Sequence, residues 1–144
     1  MGFRFVEGVA LADIAFEATG KTMEELFESA GNALMSIQVK DLKTVKAKEE
    51  TAFEIKSPDE ERLMHDFLQE LIFYKDAKLM LFRDYKLRIF RMEGGGFRLK
   101  ASLKGEQIDQ TKHELLVDAK AVSWHMFKVE RGKDGWKAFV IVDV

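Results

Sequence analysis

From Leu63 onward the apolar residues Leu63, Met64, Phe67, Leu68, Leu71 and Ile72 recur every three or four positions, while Glu61, Asp66, Gln69 and Glu70 take the other side. That spacing puts one apolar stripe on an amphipathic helix running to about Tyr74. Ser57-Pro58-Asp59-Glu60 supplies its start: a hydroxyl cap, a proline at the first helical position and an acid three residues after the cap. A second stripe, Met23, Leu26, Phe27, Ala30, Leu34 and Met35, follows Thr22 and Glu25. This pair is a capping box, in which the hydroxyl takes an orphan N–H and the carboxylate reaches back to the cap.

Elsewhere the pattern has the period of strands. Phe3 to Phe16 is apolar with Gly8 near its middle, which suits two short strands or one kinked strand. Thr51 to Ile55 alternates, and Leu79 to Phe82 is a short buried run. Tyr85, Leu87, Ile89 and Phe90 lead into Gly94-Gly95-Gly96 before Phe97, Leu99 and Ala101, as in a hairpin. After a polar loop from Lys104 to Glu114, the segments Leu115 to Val129 and Trp136 to Val144 flank the turn signal Gly132-Lys133-Asp134-Gly135. The expected fold is an α+β single domain over residues 1–144 in two layers. Both helices would lie on one face of a largely antiparallel or mixed sheet of about seven strands.

Composition narrows the function classes. With 144 residues, 47% of them hydrophobic and 33% charged, the chain has material for one core and a wet surface. The absence of cysteine removes disulfides, thiolate metal sites and thiol nucleophiles. Lys and Arg total 23 against 25 Asp and Glu, and a net charge of −2 gives no general attraction to nucleic acid. No apolar run reaches the roughly twenty residues of a membrane helix, and the start lacks the form of a secretory signal, so a cytoplasmic location is expected.

Two carboxylates stand out. Asp13 lies in Ala10-Leu11-Ala12-Asp13-Ile14-Ala15-Phe16 with no nearby cation in sequence, and Asp143 lies at a strand end in Val140-Ile141-Val142-Asp143-Val144. If they meet, two like charges need a proton or a cation between them, and with a main-chain oxygen of Val144 they offer oxygen ligands for calcium or magnesium. The competing reading is two solvated strand ends. Lys112-His113-Glu114, in a polar loop, and Lys120, inside an apolar strand, are candidates to contact a partner or a phosphate; against this stand an ordinary charged loop and an exposed strand face. His125 could be a site residue, but among core apolars it reads first, like His65, as a histidine hydrogen-bonded within the fold. The three histidines lack zinc spacing, the glycine cluster lacks the lysine and Ser/Thr of a phosphate loop, and no nucleophile motif is present.

Read together, Phe3-Arg4-Phe5-Val6-Glu7, Ala12-Asp13-Ile14, Gly20-Lys21-Thr22-Met23-Glu24-Glu25-Leu26-Phe27, Lys112-His113-Glu114, Lys120-Ala121-Val122-Ser123-Trp124-His125 and Ile141-Val142-Asp143-Val144 stand in an order and spacing that resembles the archease family over nearly the whole chain. The resemblance implies an accessory protein, not an enzyme. Such a protein promotes guanylylation and repeated turnover of the RtcB-type RNA ligase in tRNA splicing or RNA repair, and meets RNA only through the ligase. It also implies a divalent cation (calcium, magnesium or manganese) held by Asp13, Asp143 and the main-chain oxygen of Val144. The family's essential lysine falls more readily on Lys112 than on Lys120. One departure is clear: where the family reads His-Thr-Ala-Asp, this chain reads Ala10-Leu11-Ala12-Asp13. Loss of that histidine keeps open an alternative, a diverged chaperone-like or protein-binding module of the same fold without a working metal site.

Overall fold

The computed structural model describes residues 1–8 and 13–144; Ala10 and Leu11, where the chain departs from the family motif, lie outside them. Helix α1 spans Met23–Gln38, and Thr22 caps it by accepting the Glu25 N–H at 3.1 Å. The Glu25 carboxylate reaches one residue further back than expected, to the Lys21 N–H at 3.1 Å. Helix α2 spans Glu60–Lys78. Its cap is Asp59, which accepts the Arg62 N–H at 2.8 Å, and not Ser57. The reason is local: Ser57 is still paired in a strand opposite Phe97, and aspartate caps as well as serine. At the other end α2 continues past Tyr74 to Lys78 and stops at Leu79, which takes a left-handed conformation with φ 56°.

The strands are β1 Gly2–Val6, β2 Asp13–Gly20, β3 Glu49–Ser57, β4 Met80–Arg91, β5 Phe97–Gln107, β6 Ala121–Gly132 and β7 Gly135–Asp143. The α+β class and the antiparallel pairing hold, but the seven strands divide between two sheets, one ordered β1-β2-β7-β6 and the other β3-β5-β4. Two hairpins drive the division. The glycine turn closes β4 on β5, the Lys133-Asp134 turn closes β6 on β7, and each hairpin recruits its own neighbours. Each helix packs on strands of both sheets. Phe16, Phe27, Phe67 and Phe82 are fully buried there, each side chain contributing about 1.5–3 kcal/mol of transfer free energy.

Strand β6 lies at the edge of its sheet, and α2 covers that edge with a polar stripe at four-residue spacing. Glu61 accepts the Val129 N–H at 3.0 Å, His65 Nε2 donates to the Val122 carbonyl at 2.8 Å, and the Gln69 side-chain oxygen accepts the Val122 N–H. Main-chain groups that a bare edge would leave open are thereby satisfied. Among the described residues no helix is long and apolar enough to cross a membrane.

Candidate functional site

Register brings the two singled-out aspartates together. In the antiparallel pairing of β2 with β7, Asp13 stands directly opposite Asp143. Residues so placed carry their side chains on the same face with Cβ atoms roughly 4.5–5.5 Å apart. Both are half-buried, as is Val144, whose side chain packs against the core and so anchors the main chain just beyond Asp143. Desolvation raises the Asp13 carboxyl above the usual carboxylate range, and Asp143 raises it further by hydrogen bonding and by charge, while His125 draws it back down. The pair thus has the property expected of two carboxylates sharing a site: each is a poor neighbour for the other's charge.

Strand β6 completes the surroundings. Ala121 stands opposite Asp143 from the other side, and the Lys120 N–H donates to the Asp143 carbonyl at 2.8 Å. The Lys120 side chain is exposed and forms no ion pair among the described residues. Just beyond, the ladder breaks between Ser123 and Lys128, so that Trp124, His125, Met126 and Phe127 together face the single residue Val140. Trp124 and Met126 are 52% and 63% exposed, Met126 has φ 57°, and Trp124 lies flat on the His65 ring with centroids 3.8 Å apart. An apolar knob therefore projects from β6, stacked on His65 of α2.

His125 is the residue that sequence reasoning weighed and set aside. Expected to be hydrogen-bonded inside the fold, it is instead exposed on this bulge, near enough to Asp13 for its charge to matter. A signal was present: buried positions run Val122, then Phe127 and Val129, and that change of parity marks extra residues in a strand. His65, by contrast, is buried and hydrogen-bonded as expected.

Lys112, His113 and Glu114 sit differently from the aspartates. His113 is 2% exposed, too buried to touch a partner. Its Nε2 donates to Glu106 at 3.0 Å and its Nδ1 accepts the Asp109 N–H at 2.9 Å. Lys112 Nζ is bound to Glu106 at 2.6 Å, and the exposed Glu114 faces Lys40 at 3.6 Å. These residues pin the loop to β5 and are not among the immediate neighbours of the paired aspartates.

As a donor set the site is oxygen-rich and small. Among the described residues no group of three or more His, Cys, Asp and Glu side chains converges on one point. Two carboxylates with a main-chain oxygen suit a hard cation that keeps several waters, as magnesium does, or a partly hydrated calcium, and they do not suit zinc.

The chain matches the model of the Archease protein family (MTH1598/TM1083) over residues 3–144. It is 37% identical to protein archease of Methanosarcina barkeri, with 92% of this chain and 90% of that one covered. It is 36% identical to protein archease of Pyrococcus abyssi, covering 92% and 93%. Its fold superposes on the solution structure of Methanobacterium thermoautotrophicum protein 1598 with a TM-score of 0.85 and 36% identity, each chain 99% covered. The chain belongs to the archease family.

Proposed function

We propose that this protein is an accessory of an RtcB-type RNA ligase, promoting its guanylylation and repeated turnover in tRNA splicing or RNA repair in the cytoplasm. It does not join RNA itself. The observation that carries the reading is the placement of Asp13 opposite Asp143, beside Lys120 and an exposed apolar knob. Asp13, Asp143 and the main-chain oxygen of Val144 would hold a calcium, magnesium or manganese ion. When bound, the ion would offer positive charge to phosphate oxygens. Of the two candidate lysines, geometry favours Lys120 for phosphate contact, because its main chain is tied to Asp143 and its side chain is exposed, whereas the ammonium of Lys112 is tied to Glu106. Trp124 and Met126 give the ligase an apolar anchor next to that chemistry. They also favour the second reading, a module that docks on a partner protein without using a metal.

Guanylylation of the cognate ligase, followed with and without this protein, tests the proposal. Stimulation is expected to fall at least about tenfold in Asp143→Ala and in Lys120→Ala, a loss of 1.4 kcal/mol or more, and to be retained in Lys112→Ala once folding is verified. Full stimulation by a folded Asp143→Ala protein would sink the metal-dependent reading. Loss of stimulation only in Trp124→Ala would leave the docking module.

A further inference from the structure

The outer face of the second sheet carries a charge pattern that the site at Asp13 and Asp143 does not use. Alternation along the strands sends Tyr85, Leu87 and Ile89 of β4 and Leu99, Ala101 and Leu103 of β5 toward the helices. Lys86, Arg88, Phe90, Lys100 and Lys104 are sent to solvent. Register then sets like charges side by side, because Arg88 stands directly opposite Lys100, with Lys86 two residues away on the same face. Like charges directly opposite one another destabilise a sheet. Relief from acids is partial. Glu54 is opposite Lys100 but hydrogen-bonded to Arg98, Glu50 bonds Ser102, and neither Lys86 nor Arg88 forms an ion pair among the described residues. Lys86, Arg88, Lys100 and Ser102 rim a shallow depression of about 280 Å³. Next to it Phe90 is 37% exposed, with the Arg88 guanidinium 5.2 Å over its ring.

We propose that this face binds the backbone of single-stranded RNA, with Lys86, Arg88 and Lys100 taking phosphates and Phe90 stacking a base. A flat sheet bearing an aromatic ring suits unstacked bases and does not enter a duplex groove. A membrane or an obligate protein partner would ask for more apolar area than one phenylalanine supplies. The protein's net charge of −2 is no obstacle, because cations outnumber the acids Glu50, Glu54 and Asp84 on this face and phosphate contacts act within a screening length of about 8–10 Å. The choice of RNA as the polyanion rests on the ligase-accessory reading. On this proposal the protein meets RNA directly as well as through the ligase.

The test is fluorescence anisotropy of the protein alone with a labelled oligouridine across about 50–200 mM salt, the range in which phosphate contacts show their salt dependence. The folded protein is expected to bind with a log–log salt slope near −2, from about 0.7 per phosphate at three contacts. Lys86→Ala/Arg88→Ala/Lys100→Ala is expected to weaken binding about tenfold or more and to flatten that slope. Phe90→Ala should weaken it with the slope unchanged, and Lys21→Ala/Lys133→Ala/Lys137→Ala, a cationic group at the far hairpin, should leave it intact. All of these residues are exposed, so circular dichroism is expected to match the parent. Absence of binding, or binding indifferent to the triple change, overturns the proposal. Displacement of the RNA by polyglutamate of equal charge overturns it too, in favour of an acidic protein. Guanylylation of the ligase without RNA separates the two readings, because the triple variant should stimulate it fully. Stimulation without RNA binding defeats this inference alone, and RNA binding without stimulation defeats the accessory role alone.

Discussion

Glu106 shows how one residue can organise a loop. It is 5% exposed, and its carboxylate accepts from Lys112 at 2.6 Å, from the Lys46 N–H at 2.7 Å and from His113 at 3.0 Å, with Lys48 at 3.6 Å. Burial alone pushes its carboxyl up, but the hydrogen bonds from Lys112, Lys46 and His113 together outweigh burial and hold it at about 2. A folded value below the ordinary 4.5 means that this carboxylate's contribution to stability is fully present above pH 4.5. It is lost as pH falls toward about 2. Glu106→Gln should therefore cost about 2 kcal/mol at neutral pH, the worth of hydrogen bonds to a charged group. The same change should flatten the fall in stability between those two pH values. Urea unfolding at a series of pH values measures both, and equal pH slopes in parent and variant would show the cluster to be inert.

At the scale of elements, α2 does two jobs, and only one is visible in its sequence. Leu63, Phe67 and Leu71 announce the apolar stripe, but the stripe Glu61, His65 and Gln69 reads as ordinary solvent-facing residues until β6 is known to lie beside it. The capping box at Thr22 was legible because a cap is settled within four residues. The cap of α2 was misplaced by two because Ser57 is claimed by its pairing with Phe97, forty residues away in the chain. For the same reason the meeting of Asp13 with Asp143 could be framed in advance only as a condition. Register between strands 130 residues apart depends on every hairpin between them. Removing the hidden job gives a prediction. His65→Ala deletes the hydrogen bond to Val122 and the stack under Trp124, which together should cost about 2 kcal/mol. In a Trp136→Phe background the Trp124 emission should shift as its ring loses the imidazole. Burial holds the His65 ring below its ordinary 6.5, so the neutral form's contribution is present above pH 6.5 and declines as pH falls below it. A Trp124 signal that ignores both the substitution and acid would mean that the knob is held by β6 alone.

Across the whole molecule, charge is divided rather than balanced. The end where β2 and β7 meet holds two facing carboxylates, while the outer face of the β3-β5-β4 sheet holds facing cations, and each arrangement costs folding stability until an opposite charge arrives. Surfaces kept at such a cost are the places where a protein trades stability for binding. The trade is measurable at the acidic end without any ligase. In chelator, Asp143→Asn should melt at a higher temperature than the parent, because an amide opposite Asp13 removes the like charge and can donate a hydrogen bond to it. In calcium or magnesium the order should reverse. The parent's melting temperature should climb with the logarithm of ion concentration, as it must for a ligand that binds only the folded state, and the variant's should stay flat. If both proteins respond alike to the ion, binding lies elsewhere and the pair is a site in geometry only. If the variant is less stable than the parent even in chelator, then Asp143 serves the fold through its bond to Asp13, and the facing carboxylates are held together by a shared proton with no cation required.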